Sequence, residues 1–243
     1  MKTFSITGAI KSGWALFKLN KGVLISASFV VIVLYVLQSY QKKMFLNPNL
    51  QTIVLIVLFI IGVIIHTGYF KILLKINDGM PTTFSEIFSH FNLFWKYFEL
   101  SVLMAIVSFL PSVFVLVVFS TVLFLHLSIF LIPVIAIVGI ALFVMLCLFI
   151  GLRLPFSFII LVDKEIGPVA AMKESARITK GMKWDVFCFL FALGIVELIG
   201  IIALGVGILA AIPVSMLAMI NVYRTLSKPV VSETITVPQS TPI

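Results

Sequence analysis

The apolar residues of this chain stand in long uninterrupted blocks, and this arrangement constrains its fold more than any other feature. Two blocks are clear, at residues 22–40 and 50–74. Each has about the 20 residues that cross a hydrocarbon layer ~30 Å thick as an α-helix. Because 62% of the residues are hydrophobic and only 11% are charged, a soluble fold would leave large apolar surfaces in water. The sequence therefore predicts an all-α membrane protein.

The middle of the chain divides less plainly, since the tract 98–162 holds more residues than two crossings need and contains three prolines. We divide it into one helix over 98–121 and another over 133–162, joined by a short outer segment. The second helix is expected to kink or end near Pro155, because proline removes a backbone hydrogen bond. Three crossings of this tract are the alternative.

The last apolar block, 184–226, completes the count of membrane spans. It divides at Gly205-Val206-Gly207, where two glycines permit a tight reversal. The chain then has about six spans. Residues 227–243 are rich in Ser, Thr and Pro, and this composition is typical of a disordered tail.

The distribution of positive charge predicts the orientation of these spans. Lys and Arg remain in cytoplasmic loops much more than Asp and Glu do. With six spans and a cytoplasmic N-terminus, every Lys and Arg except Lys42 and Lys43 falls on the inner side. We expect a multi-pass protein of the cytoplasmic (inner) membrane with both termini in the cytoplasm. Orientation explains the net charge of +8, so no nucleic-acid partner is expected.

The three tryptophans, Trp14, Trp95 and Trp184, are each followed three positions later by a phenylalanine. Each pair follows a segment with helical periodicity, so the pattern predicts three repeats of an interfacial amphipathic helix and a helical hairpin. The tryptophans would anchor the interface, a site that tryptophan prefers in any membrane protein. The predicted repeats cover residues 1–76, 77–162 and 163–226 of a single membrane domain.

Two of the amphipathic segments carry local helix signals. In the second, Thr83-x-x-Glu86 is a capping-box pattern. In the third, Pro168 suits the first position of a helix. The apolar side of this third helix would face acyl chains and the basic side would contact anionic lipid headgroups. The apolar side comprises Val169, Met172 and Ala176, and the basic side comprises Lys173, Arg177 and Lys180.

A family resemblance rests on residues 153–187. Their pattern Ala171-Met172-x-x-Ser175-x-x-Ile178-x-x-Gly181, with Tyr223-Arg224 closing the last helix, resembles bacterial multi-pass proteins of unknown function. These proteins are similar to the membrane-embedded domain of glycerophosphoryl diester phosphodiesterases. The resemblance implies a helical membrane module. It implies no activity, because the soluble catalytic domain of those enzymes has no counterpart in this chain.

Few side chains suggest chemistry. Glu197 stands deep in the fifth span, where an ionisable group usually faces a cavity or pairs with a partner, and His66 in the second span is the natural partner. Two plainer alternatives are a protonated Glu197 hydrogen-bonded to a neighbouring helix, and a Glu197 close to the outer headgroups because the span is short. Asp163 and Glu165 flank Lys164 at the membrane edge, which is weak support for acid–base catalysis.

The remaining polar and sulfur-containing residues have ordinary interpretations. Glu99 and Lys96 are expected to form a solvated ion pair. Cys147 and Cys188 are expected to pack as small apolar residues. His126 belongs to the outer connection and His90 to the inner amphipathic helix, so no two histidines have metal-ligand spacing on one helix. The sequence predicts no catalytic residue, metal or cofactor.

Three functions are consistent with these features. The first is a non-catalytic membrane module that contacts lipids, anionic ones among them, or docks partner proteins. The second is a transporter or channel that uses Glu197. The third, an intramembrane enzyme, ranks last because the sequence lacks a nucleophile, base or metal set.

Overall fold

A computed structural model describes residues 4–44, 47–124, 131–203 and 207–228. Within these ranges the chain forms α-helices and two short 3₁₀ helices, and no strand. The α-helices are α1 (Ile6–Leu19), α2 (Lys21–Met44), α3 (Pro48–Asn77), α4 (Phe94–Phe124), α5 (Leu131–Arg153), α6 (Ser157–Lys164), α7 (Pro168–Ile178), α8 (Lys183–Ile202) and α9 (Ile208–Ser227). The 3₁₀ helices cover Phe84–Phe88 and Phe91–Leu93.

Six segments of the described chain are long and apolar enough to cross a membrane. They centre on α2, α3, α4, α5, α8 and α9, so the prediction of an all-α membrane protein with six spans is confirmed. The tract 98–162 supplies two membrane-length helices, α4 and α5, rather than three. Pro111 lies inside α4 and Pro213 inside α9. Proline leaves a backbone carbonyl of the helix without its usual hydrogen bond, and neighbouring helices of a bundle can satisfy that carbonyl.

The predicted interruption near Pro155 is present between α5 and α6. The hydroxyl of Ser175 on α7 satisfies the backbone at this break: its Oγ donates to the Arg153 carbonyl at 2.9 Å and accepts from the Phe156 N–H at 3.2 Å. Short α6 then runs through the interior, with Phe156 and residues 159–162 buried. The break therefore turns the chain into the core instead of merely kinking a span.

Backbones approach closely at three glycines of the bundle. A Cβ on Gly13 of α1 would stand 2.6 Å from the Val214 carbonyl oxygen on α9, and one on Gly68 of α3 would overlap the backbone of Ile87. On Gly200 of α8 it would stand 2.7 Å from the Ala211 Cβ. Small residues allow such contacts between helices in membranes. They dock α1 on α9, the first 3₁₀ helix on α3, and α8 on α9.

The prediction of a capped amphipathic α-helix before α4 is wrong, because two 3₁₀ helices occupy this segment. Thr83 makes no side-chain capping bond; its hydroxyl lies 3.0 Å from that of Ser85. Glu86 is instead held by Lys75 of α3 at 2.7 Å. The contact of Ile87 with Gly68 and this ion pair fix the segment against α3, so tertiary packing overrides its helical periodicity.

Three other predictions concern connections and packing. The predicted turn at Gly205-Val206-Gly207 is described only at its last residue, because Gly205 and Val206 lie outside the described residues. Gly207 has an ordinary right-handed φ of −61°. His126 and residues 229–243 of the predicted tail also lie outside the described residues. The expectation that Cys147 and Cys188 are packing residues is wrong, since both side chains are exposed on the surface of the bundle.

Candidate functional site

Arg224, near the end of α9, binds two carboxylates from different helices. Its Nη1 and Nη2 donate to Asp163 of α6 at 2.7 and 2.8 Å, while its Nε and Nη2 donate to Asp78, the C-cap of α3, at 3.1 and 2.6 Å. The Tyr223 hydroxyl donates to Asp163 at 2.6 Å. The Tyr-Arg pair therefore joins α3, α6 and α9. We call the end of the bundle that contains this cluster the charged end.

Asp163 and Glu165 are neighbours in sequence but bind separate cations. Glu165 accepts from Lys71 of α3 at 2.7 Å, and its backbone carbonyl accepts from Lys96 of α4. Glu165 has a φ of 53°, a left-handed conformation that is uncommon for residues other than glycine. The lysines hold the pKa of Glu165 below its ordinary value, with the Lys71 hydrogen bond as the largest cause. Lys96 thus binds Glu165 rather than forming the predicted pair with Glu99.

Glu174 on α7 is the centre of another ion-pair group. Arg177 donates to it through Nε at 2.6 Å and Nη2 at 2.8 Å, and Lys164 of α6 donates at 2.8 Å. These hydrogen bonds, that of Arg177 first, lower the pKa of Glu174 to about 2. Arg177, one of the three predicted headgroup ligands, is therefore engaged by a carboxylate of its own helix.

The faces of α7 separate into a buried side and a groove side. The buried side comprises Ala171, Ser175 and Ile178. Gly181, which has a φ of 85°, lies in the connection between α7 and α8. Three other residues, Val169, Met172 and Ala176, line a groove of about 390 Å³ with Lys173. The opposite wall comes from Leu103 of α4 and from Phe149, Ile150, Arg153 and Leu154 at the end of α5. We call this cavity the basic groove.

Cations surround one end of the basic groove. The Arg153 guanidinium lies 4.8 Å from the centre of the Phe149 ring, and the Lys183 ammonium lies 5.2 Å from it. Lys173 lines the same groove from α7. Lys180, the third predicted headgroup ligand, is exposed beyond the end of α7. The groove is therefore lined by cations from α5 and α7, and Lys183 of α8 lies at the Phe149 ring of its wall.

The basic groove continues toward the middle of the bundle. A second cavity of about 280 Å³ shares Ile150 and Leu154 with it and extends along α4 to Pro111. From Leu103 to Pro111 the distance along the helix is about 12 Å at 1.5 Å per residue. The two cavities form a track between α4 and α5 that has cations at one end and apolar side chains along its length.

The tryptophans occupy similar local settings. All three side chains are exposed, and each ring lies against the phenylalanine three positions later. The ring centroids of the Trp14, Trp95 and Trp184 pairs are 5.5, 5.9 and 5.8 Å apart. Trp95 and Trp184 stand in the first turns of α4 and α8, whereas Trp14 stands within α1 before the first span. The roles of the tryptophans as interface anchors and the three repeats stay predictions.

Glu197 and His66 line the same cavity, which lies between α2, α3, α8 and α9 and has a volume of about 490 Å³. We call it the Glu197 cavity. Glu197 also lies beside the buried Ser215 of α9. The His66 ring meets the edge of the Tyr35 ring at 6.4 Å. The structure thus brings together the two intramembrane polar residues that the sequence singled out.

Sequence reasoning missed the set of cations around Phe149. It assigns Arg153 and Lys183 only to the orientation of the chain, and Lys183 is 34 positions from Phe149, so no local pattern links the two. Only the packing of α5 against α8 places both cations at one ring.

Comparisons of this chain with protein-family models, with curated proteins and with solved structures found no match.

Proposed function

We propose that this protein is a non-catalytic membrane module that binds an anionic phospholipid of the inner leaflet in the basic groove. The observation that carries the proposal is that Arg153 and Lys173 line one groove with apolar side chains, while Lys183 lies at the Phe149 ring of its wall. A phosphate group would lie among the cations and an acyl chain would follow α4 toward Pro111. Each cation near the surface of an anionic leaflet is worth about 1 kcal/mol.

The other cations of α7 are less suited to this role. Arg177 is neutralised by Glu174, which Lys164 also binds. Releasing Arg177 to a phosphate would leave a carboxylate without its closest partner, and this loss would offset the gain. The proposal therefore retains Lys173 from the predicted headgroup ligands and adds Arg153 and Lys183.

A non-catalytic role agrees with the arrangement at the charged end. Asp163 is bound by Arg224 and Tyr223, while Glu165 is bound by Lys71. A general acid or base must be free to exchange a proton with a substrate, and carboxylates engaged by cations and a hydroxyl of the protein are poorly placed to do so. These groups join helices to one another, which is a structural role.

The proposal places the charged end in the cytoplasm and the chain in the inner membrane. It is supported by the positive-inside distribution, in which only Lys42 and Lys43 fall outside. Docking of a partner protein at the exposed surface of α7 is a further part of the proposal.

The test is a pair of double variants that remove equal charge from different places. Lys173→Gln with Lys183→Gln removes one cation that lines the groove and one that lies at the Phe149 ring of its wall. Lys18→Gln with Lys180→Gln removes two exposed cations, neither of which lines the groove. Each protein is purified in mild detergent, retained phospholipids are measured by mass spectrometry, and thermal unfolding is followed with added phosphatidylglycerol or phosphatidylcholine.

We expect the groove variant to retain less anionic lipid and to lose stabilisation by phosphatidylglycerol, while the control variant resembles the parent. Phosphatidylcholine should stabilise all three proteins equally, because its headgroup has no net charge. Equal retention of anionic lipid by the two variants would show that these cations serve only to orient the chain, and the proposal would be abandoned.

A further inference from the structure

The Glu197 cavity lies far from the charged end of the bundle. Glu197 is 14 residues beyond Lys183, which is about 21 Å along α8 at 1.5 Å per residue. The cavity volume of about 490 Å³ falls within the range of roughly 300–1,000 Å³ typical of small-molecule sites. The basic groove shares no lining residue with it. It is therefore a separate site, independent of the proposed function.

Among the side chains that the structure describes, which do not include those of Lys42 and Lys43, none forms an ion pair with the carboxyl group of Glu197. An ionised carboxylate at membrane depth is costly unless it is paired. The apolar part of the wall, which includes Ile208, Ile212 and Met216 of α9, provides no positive charge. A cationic ligand would provide one.

Aromatic side chains form much of the opposite wall. Tyr35 and Tyr40 of α2 and Tyr69 of α3 line the cavity with His66. The Tyr69 hydroxyl is already engaged by Ser28 at 3.1 Å, so Tyr69 presents mainly its ring. The faces of tyrosine rings attract organic cations, and quaternary ammonium groups are bound by such walls. The wall and the carboxylate therefore favour the same type of ligand.

The cavity is open at the side of the bundle. Tyr35 and Tyr40, which line it, are 62% and 54% exposed. Tyr35 lies within the span formed by α2, and Tyr40 lies one residue before the end of that span at Gln41. An amphiphile in the bilayer can therefore enter here with its polar group near the membrane interface and its apolar part against the side chains of α9.

We propose that the Glu197 cavity binds a membrane-soluble amphiphile with a quaternary ammonium or protonated amine group. The ammonium group lies between the Glu197 carboxylate and the Tyr35 ring. The hydrocarbon part lies against Ile208, Ile212 and Met216. Both parts of such a ligand therefore meet a surface of matching chemistry within one cavity.

The probe is radiolabelled dodecyltrimethylammonium, and the protein is reconstituted in phosphatidylcholine nanodiscs, with empty nanodiscs to subtract partition into lipid. We expect saturable binding by the parent protein. Glu197→Gln should weaken it by about tenfold or more, because the ligand loses its charge partner. Tyr35→Phe should bind like the parent and Tyr35→Leu several-fold more weakly, because only the former retains a ring face. Dodecanol, which has no charge, should compete poorly.

Three results would overturn the proposal: no saturable binding by the parent, unchanged binding by Glu197→Gln, or competition by dodecanol as strong as that by unlabelled probe. If Glu197→Gln fails to fold, Ile212→Trp decides the question, because it fills the cavity and keeps the carboxylate. Loss of binding by folded Ile212→Trp supports the site, and retained binding contradicts it.

Discussion

Arg224 and Asp163 are joined by two parallel hydrogen bonds, from Nη1 to Oδ2 at 2.7 Å and from Nη2 to Oδ1 at 2.8 Å. This fork geometry depends on the planar guanidinium, which lysine cannot replace. The same side chain reaches Asp78, so one residue at the end of α9 holds the ends of α3 and α6. The cluster locks the charged end of a bundle whose spans otherwise expose large apolar surfaces.

Replacing Arg224 with Ala should destabilise the protein, because it leaves two carboxylates without their main partner. We expect a loss of about 1–3 kcal/mol in the free energy of unfolding, reduced toward the lower end by solvent at this surface. Arg224→Lys should recover only part of the loss. Adding Asp163→Asn to Arg224→Ala should restore some stability. Thermal or denaturant unfolding in detergent measures these effects, and an Arg224→Ala protein as stable as the parent would contradict the assigned role.

Gly68→Ala should be strongly destabilising, because the new Cβ would overlap the backbone of Ile87 and displace the first 3₁₀ helix from α3. We expect about 2 kcal/mol or more, the range for overpacked core sites. Gly194→Ala in α8 is the matched control, since its added Cβ meets nothing within 4 Å. It should be neutral or slightly stabilising. Equal unfolding temperatures for the two variants would refute the close contact.

The ion-pair group of α7 should make stability depend on pH. Because the folded pKa of Glu174 is about 2, below its ordinary value of 4.5, its stabilising contribution is present above that ordinary value and is lost as the pH falls from 4.5 toward 2. Glu174→Gln lacks this contribution at every pH. The difference in unfolding temperature between parent and variant should therefore shrink on acidification. A constant difference across this window would show that Glu174 gains nothing from Arg177 and Lys164.

Topology can be tested by fusions that report the side of the membrane. We expect fusions after Lys75, Lys180 and Lys228 to report the cytoplasm and those after Lys43 and Gly205 to report the other side, because the basic loops remain inside. Activity of a cytoplasmic and a periplasmic reporter at each site gives the measurement. A C-terminus on the periplasmic side would exclude the six-span orientation.

Local sequence signals predicted well where no tertiary contact opposes them. Pro168 begins α7, and Pro155 lies at the break between α5 and α6. Thr83 and Glu86 illustrate the opposite case. Their capping pattern is present, yet contact of Ile87 with Gly68 and the attraction of Lys75 hold the segment as 3₁₀ helices.

The candidate sites show the same division. Glu197 and His66 are recognisable from the sequence because an ionisable residue within an apolar block is conspicuous. The sequence predicts that the two residues are partners. The cavity that they share depends on helix packing, since they are 131 positions apart. The cations around Phe149 give no signal, because a lysine or arginine at a membrane edge is expected for orientation alone.

The sequence by itself determined the class of protein, its six spans and their predicted orientation, because transfer of apolar residues into a bilayer depends on the composition of each segment and little on its neighbours. Only the tertiary structure decided which polar groups meet. Asp163 and Glu165 are close neighbours in the chain, yet one binds Arg224 and the other Lys71. Electrostatic contacts act over a few ångströms between helices distant in sequence, so their partners follow from how the helices pack.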